Sequence, residues 1–356
     1  MITVKFTSPF SSNVVLAKAR AMYGNSLKAR DFGELLQCHS VSEIAAYLKN
    51  NTAYASVLSE INESTIHRGH LEMLIRRKAF NDYASLGRYD MTMAVQLPQY
   101  LLERIEIEQI ISCLRYMSAG HVSEFFFSMP MYFASHTRLD LVKMSHSASF
   151  AELLDALSHT RYYDILAAFA PKEDGRIRLT EIENALFTHL TQMMYGLIAQ
   201  THGTLREELI NLYGAQVDMQ NVTRILRLKR YFDAKPDFIR ANLLPNGRCL
   251  SPKIVEEMVQ APNADAALEI FLSTRLAKQI PEEQRGFVHD LDHRAPYFNA
   301  RRHIHYSIHP MAVLLSYVIL TDVEVDDIIN IIEGVRYGLE PEQIRPMLVL
   351  ANEQRR

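Results

Sequence analysis

Little in this sequence points to secretion or to metal chemistry. Its three cysteines, Cys38, Cys113 and Cys249, lie far apart and are odd in number. They form neither a disulfide framework nor a zinc motif, and they suit a reducing compartment. Glycine and proline number 13 each, together about 7% of the chain against roughly 12% in average proteins. Because turn formers are scarce while Leu, Ile, Ala, Glu and Met are plentiful, the composition predicts a helix-rich protein.

Strong net charge and long hydrophobic runs are also missing. The formal net charge of −3 gives no field that would favour nucleic acid or an anionic membrane surface. The longest nearly continuous apolar run, Met311–Leu320, is interrupted by Ser316 and has about half the length of a membrane span. The start of the chain, MITVKFTSPFSS, has no apolar stretch like that of a signal peptide. We therefore expect a cytoplasmic chain with no transmembrane segment and no nucleic-acid partner.

Helical periodicity is clearest near the C-terminus. Val325, Ile328, Ile329 and Ile332 fall at i, i+3, i+4 and i+7 and predict one apolar helix face. Acidic residues crowd the first turns of this segment, where the helix dipole favours them, and Gly338 offers a C-terminal cap. Strand signals are weak, so we predict an all-α fold. Three other segments are predicted to be helical: Ser64–Leu86, Met91–Met117 after Pro98, and Leu179–Gly214 with a break near Gly203.

The stretch Ile280–His309 is the least regular part of the sequence. Prolines stand beside its two limits, at positions 281 and 310, and within it at position 296. It also holds five of the 14 histidines. Because proline breaks helices and marks turns, this composition predicts an irregular insert or a long loop.

Two short patterns recur along the chain at a domain-sized period. An Arg-Tyr pair occurs at residues 115–116, 230–231 and 336–337, with spacings of 115 and 106 residues. A Thr-x-Tyr pattern occurs at 52–54 and 160–162 and, with leucine in the last place, at 274–276, with spacings of 108 and 114. A period of this length is too long for a solenoid repeat and matches a domain. The landmark residues are Thr52, Tyr54, Arg115, Tyr116, Thr160, Tyr162, Arg230, Tyr231, Thr274, Arg336 and Tyr337.

The repeat predicts three similar helical-bundle modules related by approximate threefold symmetry. Their predicted bounds are residues 17–110, 111–225 and 226–337, with the irregular insert at 280–309 and a C-terminal helix or tail at 338–356. Residues repeated in a duplication are more often structural than functional, so we interpret the landmarks as scaffold. Each arginine is expected to bind helix carbonyls or a carboxylate while the following tyrosine ring packs inward.

Motifs for nucleotide chemistry are absent from the sequence. It contains neither Gly-x-x-x-x-Gly-Lys-Ser/Thr nor Gly-x-Gly-x-x-Gly, so we expect no nucleotide site, no catalytic residue and no cofactor. Ala170–Glu183 imitates a calcium loop around Asp174-Gly175, but Ala170 and Lys172 occupy the first two ligand positions. A turn before a helix is therefore the better interpretation of this segment.

A histidine-rich cluster provides one metal hypothesis. His and carboxylate side chains are suitable metal ligands, and an all-helical protein with a His-Asp pair is similar to the HD-type metal-dependent hydrolases. That family needs another histidine upstream in the same domain, whereas the nearest one here is the distant His202. We therefore predict no metal site. The cluster consists of His289, Asp290, Asp292, His293, His303, His305 and His309.

The segment His309–Ile344 has an apolar helix followed by acidic residues, an isoleucine-rich segment, Arg-Tyr-Gly and Pro-Glu-x-Ile. This segment, which is the strongest match, and three others in the same order along the chain resemble the C-subunit family of bacterial and archaeal A/V-type (V-type) ATPases, whose eukaryotic equivalent is the d subunit of vacuolar ATPases. Leu276 and the histidine-rich stretch depart from the family pattern. Supporting matches are Ala17–Leu27, Leu48–Leu58 and Asn221–Ser251.

The resemblance implies an all-helical, funnel-shaped protein built from three similar domains. Members of the family cap the cytoplasmic face of the membrane rotor ring and receive the central stalk. This chain would then be a non-catalytic rotor subunit that couples ATP hydrolysis or synthesis to H+ or Na+ transport without binding nucleotide. Its partners would be the central-stalk subunits and the proteolipid ring. Two alternatives remain: an HD-like hydrolase that uses the histidine cluster, and a free-standing helical adaptor.

Overall fold

The fold consists of α-helices joined by short turns. The computed structural model describes residues 9–87, 96–122, 124–125, 129–171, 176–245, 247–280 and 291–352. These residues contain no β-strand, which confirms the predicted all-α class. His289 and Asp290 of the predicted cluster, and Lys172 and Asp174-Gly175 of the calcium-like segment, lie outside the described residues.

The helices vary from one turn to eight turns in length. The first nine are α1 (Pro9–Gly24), α2 (Ala29–Leu35), α3 (Val41–Asn51), α4 (Ala55–Leu58), α5 (Arg68–Gly87), α6 (Gln96–Ser118), α7 (Leu141–Ser145), α8 (Phe150–Ala156) and α9 (Tyr162–Ala167). The others are α10 (Leu179–Ala199), α11 (Gly203–Phe232), α12 (Pro236–Ala241), α13 (Pro252–Gln260), α14 (Ala264–Leu272), α15 (Leu291–Tyr306), α16 (Pro310–Arg336) and α17 (Pro341–Ile344). Single 3-10 turns lie at Glu63–Thr65, Met131–Phe133, Ala277–Gln279, Arg345–Met347 and Leu350–Asn352.

The predicted C-terminal helix is α16, the central helix of its surroundings. It packs against α1, α5, α11 and α15, so neighbours cover most of its circumference. Every residue of the apolar run 311–320 is buried, including Ser316, whose hydroxyl donates to the Ala312 carbonyl at 2.7 Å. The run is therefore explained by a core helix covered on all sides. Across the described ranges, none of the helices is both long enough and apolar enough to cross a bilayer.

Gly338 ends α16 as predicted. Its φ of 67° is left-handed, which a glycine adopts without steric cost. The Gly338 N–H donates to the Val335 carbonyl at 3.1 Å, and the Leu339 N–H donates to the Gly334 carbonyl at 2.9 Å. These two bonds form a Schellman motif, so carbonyls at the helix end are satisfied. The predicted break near Gly203 is also present, because α10 ends at Ala199 and α11 begins at Gly203.

The prediction of an irregular insert is wrong for residues 291–306, which form helix α15. This helix packs along α11 and α16. Tyr297, Ala300 and Ile304 are buried at helical spacing and supply its apolar face. Pro296 lies in the second turn, where it removes one backbone hydrogen bond without ending the helix. The other positions of α15 carry many arginines and histidines, so its narrow apolar face was not recognised in the sequence.

The helices gather into two compact units by their contacts. Among the described residues, unit 1 takes those within 1–94, 198–240 and 246–356, and unit 2 takes those within 95–197 and 241–245. Unit 1 therefore joins the N-terminal helices α1 to α5 to the late helix α16. The predicted module limits at 110/111 and 225/226 fall inside α6 and α11. The arrangement in three modules stays a prediction.

Gly334 on α16 lies against the side chain of Ile344 on α17. A Cβ at this position would lie 2.5 Å from Ile344 Cγ1, which is a steric clash. We expect Gly334→Ala to lower the free energy of unfolding by about 2 kcal/mol, as overpacking does. Gly196 is the matched control, since it is also helical but has open space around it. Gly196→Ala should stabilise slightly, by about 0.5 to 1 kcal/mol, and equal urea midpoints for the two variants would contradict the predicted clash.

Candidate functional site

The landmark threonines close the helices that precede them. The Thr52 hydroxyl donates to the Leu48 carbonyl at 2.6 Å and accepts the Tyr54 N–H at 3.2 Å. Thr160 repeats this arrangement, with its hydroxyl donating to the Leu157 carbonyl at 2.7 Å and accepting the Tyr162 N–H at 3.3 Å. Threonine favours such local turns because its hydroxyl both donates and accepts. At Thr274 the hydroxyl accepts the Ala277 N–H at 3.2 Å instead.

The two tyrosines of the Thr-x-Tyr pattern, Tyr54 and Tyr162, each donate to a buried carboxylate. The Tyr54 hydroxyl lies 2.9 Å from Glu324 Oε1 on α16, within unit 1. The Tyr162 hydroxyl lies 2.7 Å from Glu106 Oε2 on α6, within unit 2. Burial, together with the neighbouring carboxylate charge, raises the pKa of both phenols well above their usual value. Both phenols therefore stay protonated and act as hydrogen-bond donors. Leu276, in the third copy, has no hydroxyl to play this part.

A repeated pair of buried polar residues explains what the tyrosines contact. Twelve residues before each landmark arginine stands an acid, and nine residues before it stands an acid or an asparagine. Since positions three apart share a helix face, each pair points to the same side of its helix. All six side chains are at most 7% exposed. The pairs are Glu103 and Glu106 on α6, Asp218 and Asn221 on α11, and Glu324 and Asp327 on α16.

Backbone N–H groups bind the first acid of two of these pairs. Glu324 Oε2 accepts the Leu27 N–H at 2.9 Å, and Asp218 Oδ2 accepts the Leu250 N–H at 2.8 Å. Each leucine is buried and stands two residues before a short helix, α2 or α13. In unit 1, therefore, an acid at the same position of a long helix twice binds the backbone of the leucine that stands two residues before a short helix. A buried carboxylate needs such donors, because leaving its oxygens unpaired would cost several kcal/mol.

Burial is the largest influence on the pKa values of these acids. It raises the pKa of Asp218 to about 6, against the lowering effect of the Leu250 and Cys249 N–H groups. It raises the pKa of Asp327 to about 7, although the Val349 and Leu350 N–H groups donate to this carboxylate at 2.7–3.0 Å. The pKa of Glu324 is also raised by burial. In each case the cost of removing a charge from water exceeds the stabilisation by donors.

The landmark arginines bind carboxylates at the surface. Arg115 Nη2 lies 2.8 Å from Glu183 in unit 2, and Arg230 Nη2 lies 2.6 Å from Asp265 in unit 1. Arg336 lies 3.7 Å from Glu333 of its own helix and over the ring of Tyr337. The expected inward packing of the tyrosine rings is wrong for two copies, since Tyr231 and Tyr337 are 58% and 70% exposed. Tyr116 is half-buried, near Phe125.

The four cluster histidines that the structure describes have separate partners. His293 lies 3.8 Å from Asp326, and His303 Nδ1 lies 2.9 Å from the Asn299 carbonyl. His305 packs edge-on against Tyr23, while His309 Nε2 lies 2.9 Å from the Thr204 hydroxyl. In the part of the chain that the structure describes, no group of three or more His, Cys, Asp or Glu side chains is placed to hold a metal ion.

Comparison with known proteins identifies the family. The model of the ATP synthase (C/AC39) subunit family matches residues 15–347, nearly the whole chain. The chain belongs to this family. The C subunit of the A-type ATP synthase of Archaeoglobus fulgidus is 22% identical, with 94% of this chain and 95% of that protein covered. The corresponding C subunits of Methanosarcina acetivorans and Methanosarcina mazei are 23% and 24% identical, covering 97% and 96% of this chain and 88% and 94% of their own.

Membership of the C/AC39 family confirms the resemblance noted in the sequence. It also confirms the prediction of a component of a rotary ATPase rather than an enzyme that acts alone. The partners of such a chain are the other proteins of its complex. The strongest sequence match to the family lies in α16 and its Arg-Tyr-Gly ending, and most residues of this helix are buried.

The repeated carboxylates of this C/AC39 chain were not predicted. Their signal was present in the sequence, since an acid lies twelve residues before Arg115, Arg230 and Arg336 alike. Burial of a carboxylate is rare enough that acids on a predicted helix are ordinarily assigned to the surface. Aligning the three helices on their arginines would have exposed the pattern.

Removing the Tyr162 hydroxyl should destabilise unit 2. In Tyr162→Phe, Glu106 keeps only the Thr137 hydroxyl, at 2.5 Å, of its two hydroxyl donors. We expect the free energy of unfolding to fall by about 2 kcal/mol, because a buried carboxylate loses a hydrogen bond. The neighbouring Tyr163 is 39% exposed, and Tyr163→Phe should change stability by less than about 0.5 kcal/mol. Similar urea denaturation curves for the two variants would show that the buried bond is unimportant.

Proposed function

We propose that this chain is a non-catalytic subunit of the central rotor of an A/V-type ATPase or ATP synthase. It links the central stalk to the membrane proteolipid ring at the cytoplasmic face, and it couples ATP hydrolysis or synthesis to H+ or Na+ transport. The match to the C/AC39 family over residues 15–347 carries this proposal. The absence of both nucleotide-binding motifs from the sequence agrees with a mechanical role.

Transmission of torque requires a body that resists deformation. The described residues support this requirement through their buried hydrogen bonds. Tyr54 and Glu324 join segments 270 residues apart, and Leu27 is bonded to the same carboxylate. Around them, Tyr317 donates to Asp82 at 2.9 Å, and Tyr83 donates to Asp322 at 2.8 Å. Directional bonds inside a packed helical core restrict sliding of α5 along α16 more than apolar contacts alone do.

We propose further that the chain contains three copies of one helical module. Each copy consists of a long helix with the acidic pair and the Arg-Tyr ending, a leucine before a short helix, and a Thr-containing turn. The bonds of Leu27 to Glu324 and of Leu250 to Asp218 support two of the copies. In the copy that contains Thr52 and Leu27, the long helix is α16, so this module is assembled from the two ends of the chain. Superposition of α6, α11 and α16 in an experimental structure, with their short helices, will test the grouping.

The rotor function is tested by omitting this protein from the complex. Complexes assembled without it should keep ATP hydrolysis by the soluble sector and lose ATP-driven ion transport. Adding back the purified chain should restore transport. Ion pumping by complexes that lack the chain would disprove the coupling role, and ATP hydrolysis by the purified chain would disprove its non-catalytic nature.

Association with the stalk is expected to depend on ionic strength. Contacts made at the rim of an interface by charged side chains weaken as salt screens them. We therefore expect the association rate of the chain with the stalk subunits to fall between about 0.05 M and 0.5 M salt, measured by surface plasmon resonance. An association rate that does not change with salt would contradict electrostatic rim contacts.

A further inference from the structure

A pocket of about 300 Å3, most of whose lining residues are polar or charged, opens in unit 2 beside the acidic pair of α6. Glu103 and Glu106 form its floor together with Tyr162. In unit 1, the acids at the same position as Glu103 accept the backbone N–H groups of Leu27 and Leu250. Glu103 accepts hydrogen bonds from the side chains of Gln99 and His189 instead.

The acids of the floor already have donors. Glu103 Oε1 lies 2.7 Å from Arg161 Nη1, and Glu103 Oε2 lies 3.3 Å from His189 Nε2. Both oxygens of Glu106 accept hydroxyl hydrogen bonds, from Thr137 and from Tyr162. The floor therefore needs no cation from a ligand. Arg161 also neutralises the charge of Glu103.

The mouth of the pocket is basic. Arg138 is exposed and makes neither a hydrogen bond nor an ion pair with any residue that the structure describes. Arg161 is half-exposed, and only its Nη1 binds Glu103, which leaves guanidinium N–H groups for a ligand. His136 and His159, also exposed, complete the mouth. Two guanidinium groups with two imidazoles match a compact oxyanion that carries two negative charges.

We propose that this pocket binds a phosphate group, either as inorganic phosphate or as the phosphate of a small soluble monoester. The guanidinium of Arg138 and the free nitrogens of Arg161 donate to the phosphate oxygens. The charges of the two arginines and the two glutamates of the pocket balance, so the anion is held by directed hydrogen bonds from the guanidinium nitrogens that are not bound to Glu103. The site does not depend on the proposed rotor function.

Calorimetric titration of the purified full chain with inorganic phosphate tests the site. We expect one saturable site at pH 8, where inorganic phosphate carries mainly two negative charges, with a Kd of about 1 mM or tighter. Arg138→Ala should weaken binding at least tenfold, and Arg138→Lys should bind with intermediate affinity, since it keeps the charge but loses the fork. Arg115→Ala is the control, because Arg115 is an exposed arginine of unit 2 that pairs with Glu183 outside the pocket. It should bind phosphate like the native chain.

Two further titrations complete the test. Sulfate, a doubly charged oxyanion of the same shape, should compete with phosphate for the site. Glycerol phosphate binding tighter than inorganic phosphate identifies a monoester as the ligand, and the reverse order identifies the free ion. The proposal is overturned by absence of saturable phosphate binding up to 10 mM, by equal affinities of native chain and Arg138→Ala, or by an equal loss in Arg115→Ala.

Discussion

Gly247→Ala should lower the free energy of unfolding by about 4 kcal/mol. A Cβ on residue 247 would lie 1.7 Å from Asp218 Oδ1, a distance that no rearrangement of the methyl group relieves. Either the carboxylate or the backbone must move. Movement of either breaks the bonds from the Cys249 and Leu250 N–H groups to Asp218 Oδ2, at 2.6 and 2.8 Å. Breaking the pairing of a buried charge has a cost of this size.

A double-mutant cycle isolates the clash from other effects of alanine. Asp218→Ala removes the oxygen that the new methyl group meets, so Gly247→Ala should then cost less than about 1 kcal/mol, with a coupling energy of at least about 2 kcal/mol. Gly24 is the matched control, since its surroundings are open and, like residue 247, it has no left-handed φ. Gly24→Ala should leave the urea midpoint nearly unchanged. Additive costs in the cycle would contradict the predicted contact between residues 247 and 218.

Stability should fall as the pH rises from 4 to 8, because two buried aspartates bind protons more tightly in the folded chain. The pKa of Asp218 rises from 3.8 to about 6, and that of Asp327 from 3.8 to about 7. The folded state therefore holds protons that the unfolded state releases above pH 3.8. The stability that these protons contribute is present at low pH and is lost as pH passes the folded pKa. The expected loss is about 3 kcal/mol for Asp218 and about 4 kcal/mol for Asp327.

Asp218→Asn tests this linkage at one site. Asp218 Oδ2 accepts both the Cys249 and Leu250 N–H groups, and an asparagine carbonyl oxygen can occupy its place without carrying charge. The difference in unfolding free energy between native chain and variant should therefore shift by about 3 kcal/mol between pH 4 and pH 7.5, in favour of the variant at high pH. Asp237→Asn, at a 97% exposed side chain, is the control. Parallel stability curves for native chain and Asp218→Asn would refute the linkage.

Long helices were predictable because their apolar spacing extends over several turns. The helices α5, α6, α10, α11 and α16 all lie in segments predicted to be helical or beside a landmark. Short helices gave weaker signals, although Ser40, Ser149 and Ser251 accept N–H groups as N-caps of α3, α8 and α13. A helix of one or two turns is too short for periodicity to show, and packing rather than propensity stabilises it.

The candidate site was predictable in its outline and not in its chemistry. Thr52 and Thr160 were identified by spacing, and the structure shows that their hydroxyl groups make similar turn bonds, which the spacing alone did not predict. The destination of Tyr54 was not predictable, because Glu324 is 270 residues away and no local pattern joins them. Helix α15 was not predicted for a related reason. Most of its residues are charged or polar, and only the fold shows that it is a helix packed against α11 and α16.

The bonds of Glu324 determine the order in which parts of the chain can fold while the ribosome synthesises it. Tyr162 and Glu106 are 56 residues apart, so unit 2 can form its central bond within about 3–11 s at 5–20 residues per second. Tyr54 must wait for Glu324, 270 residues later, which takes roughly 15–50 s. During that time α2 to α5 are complete but lack the helix that covers them. Nascent chains shorter than about 324 residues therefore expose apolar surface to chaperones and proteases, and any slowing of translation after residue 87 lengthens that exposure.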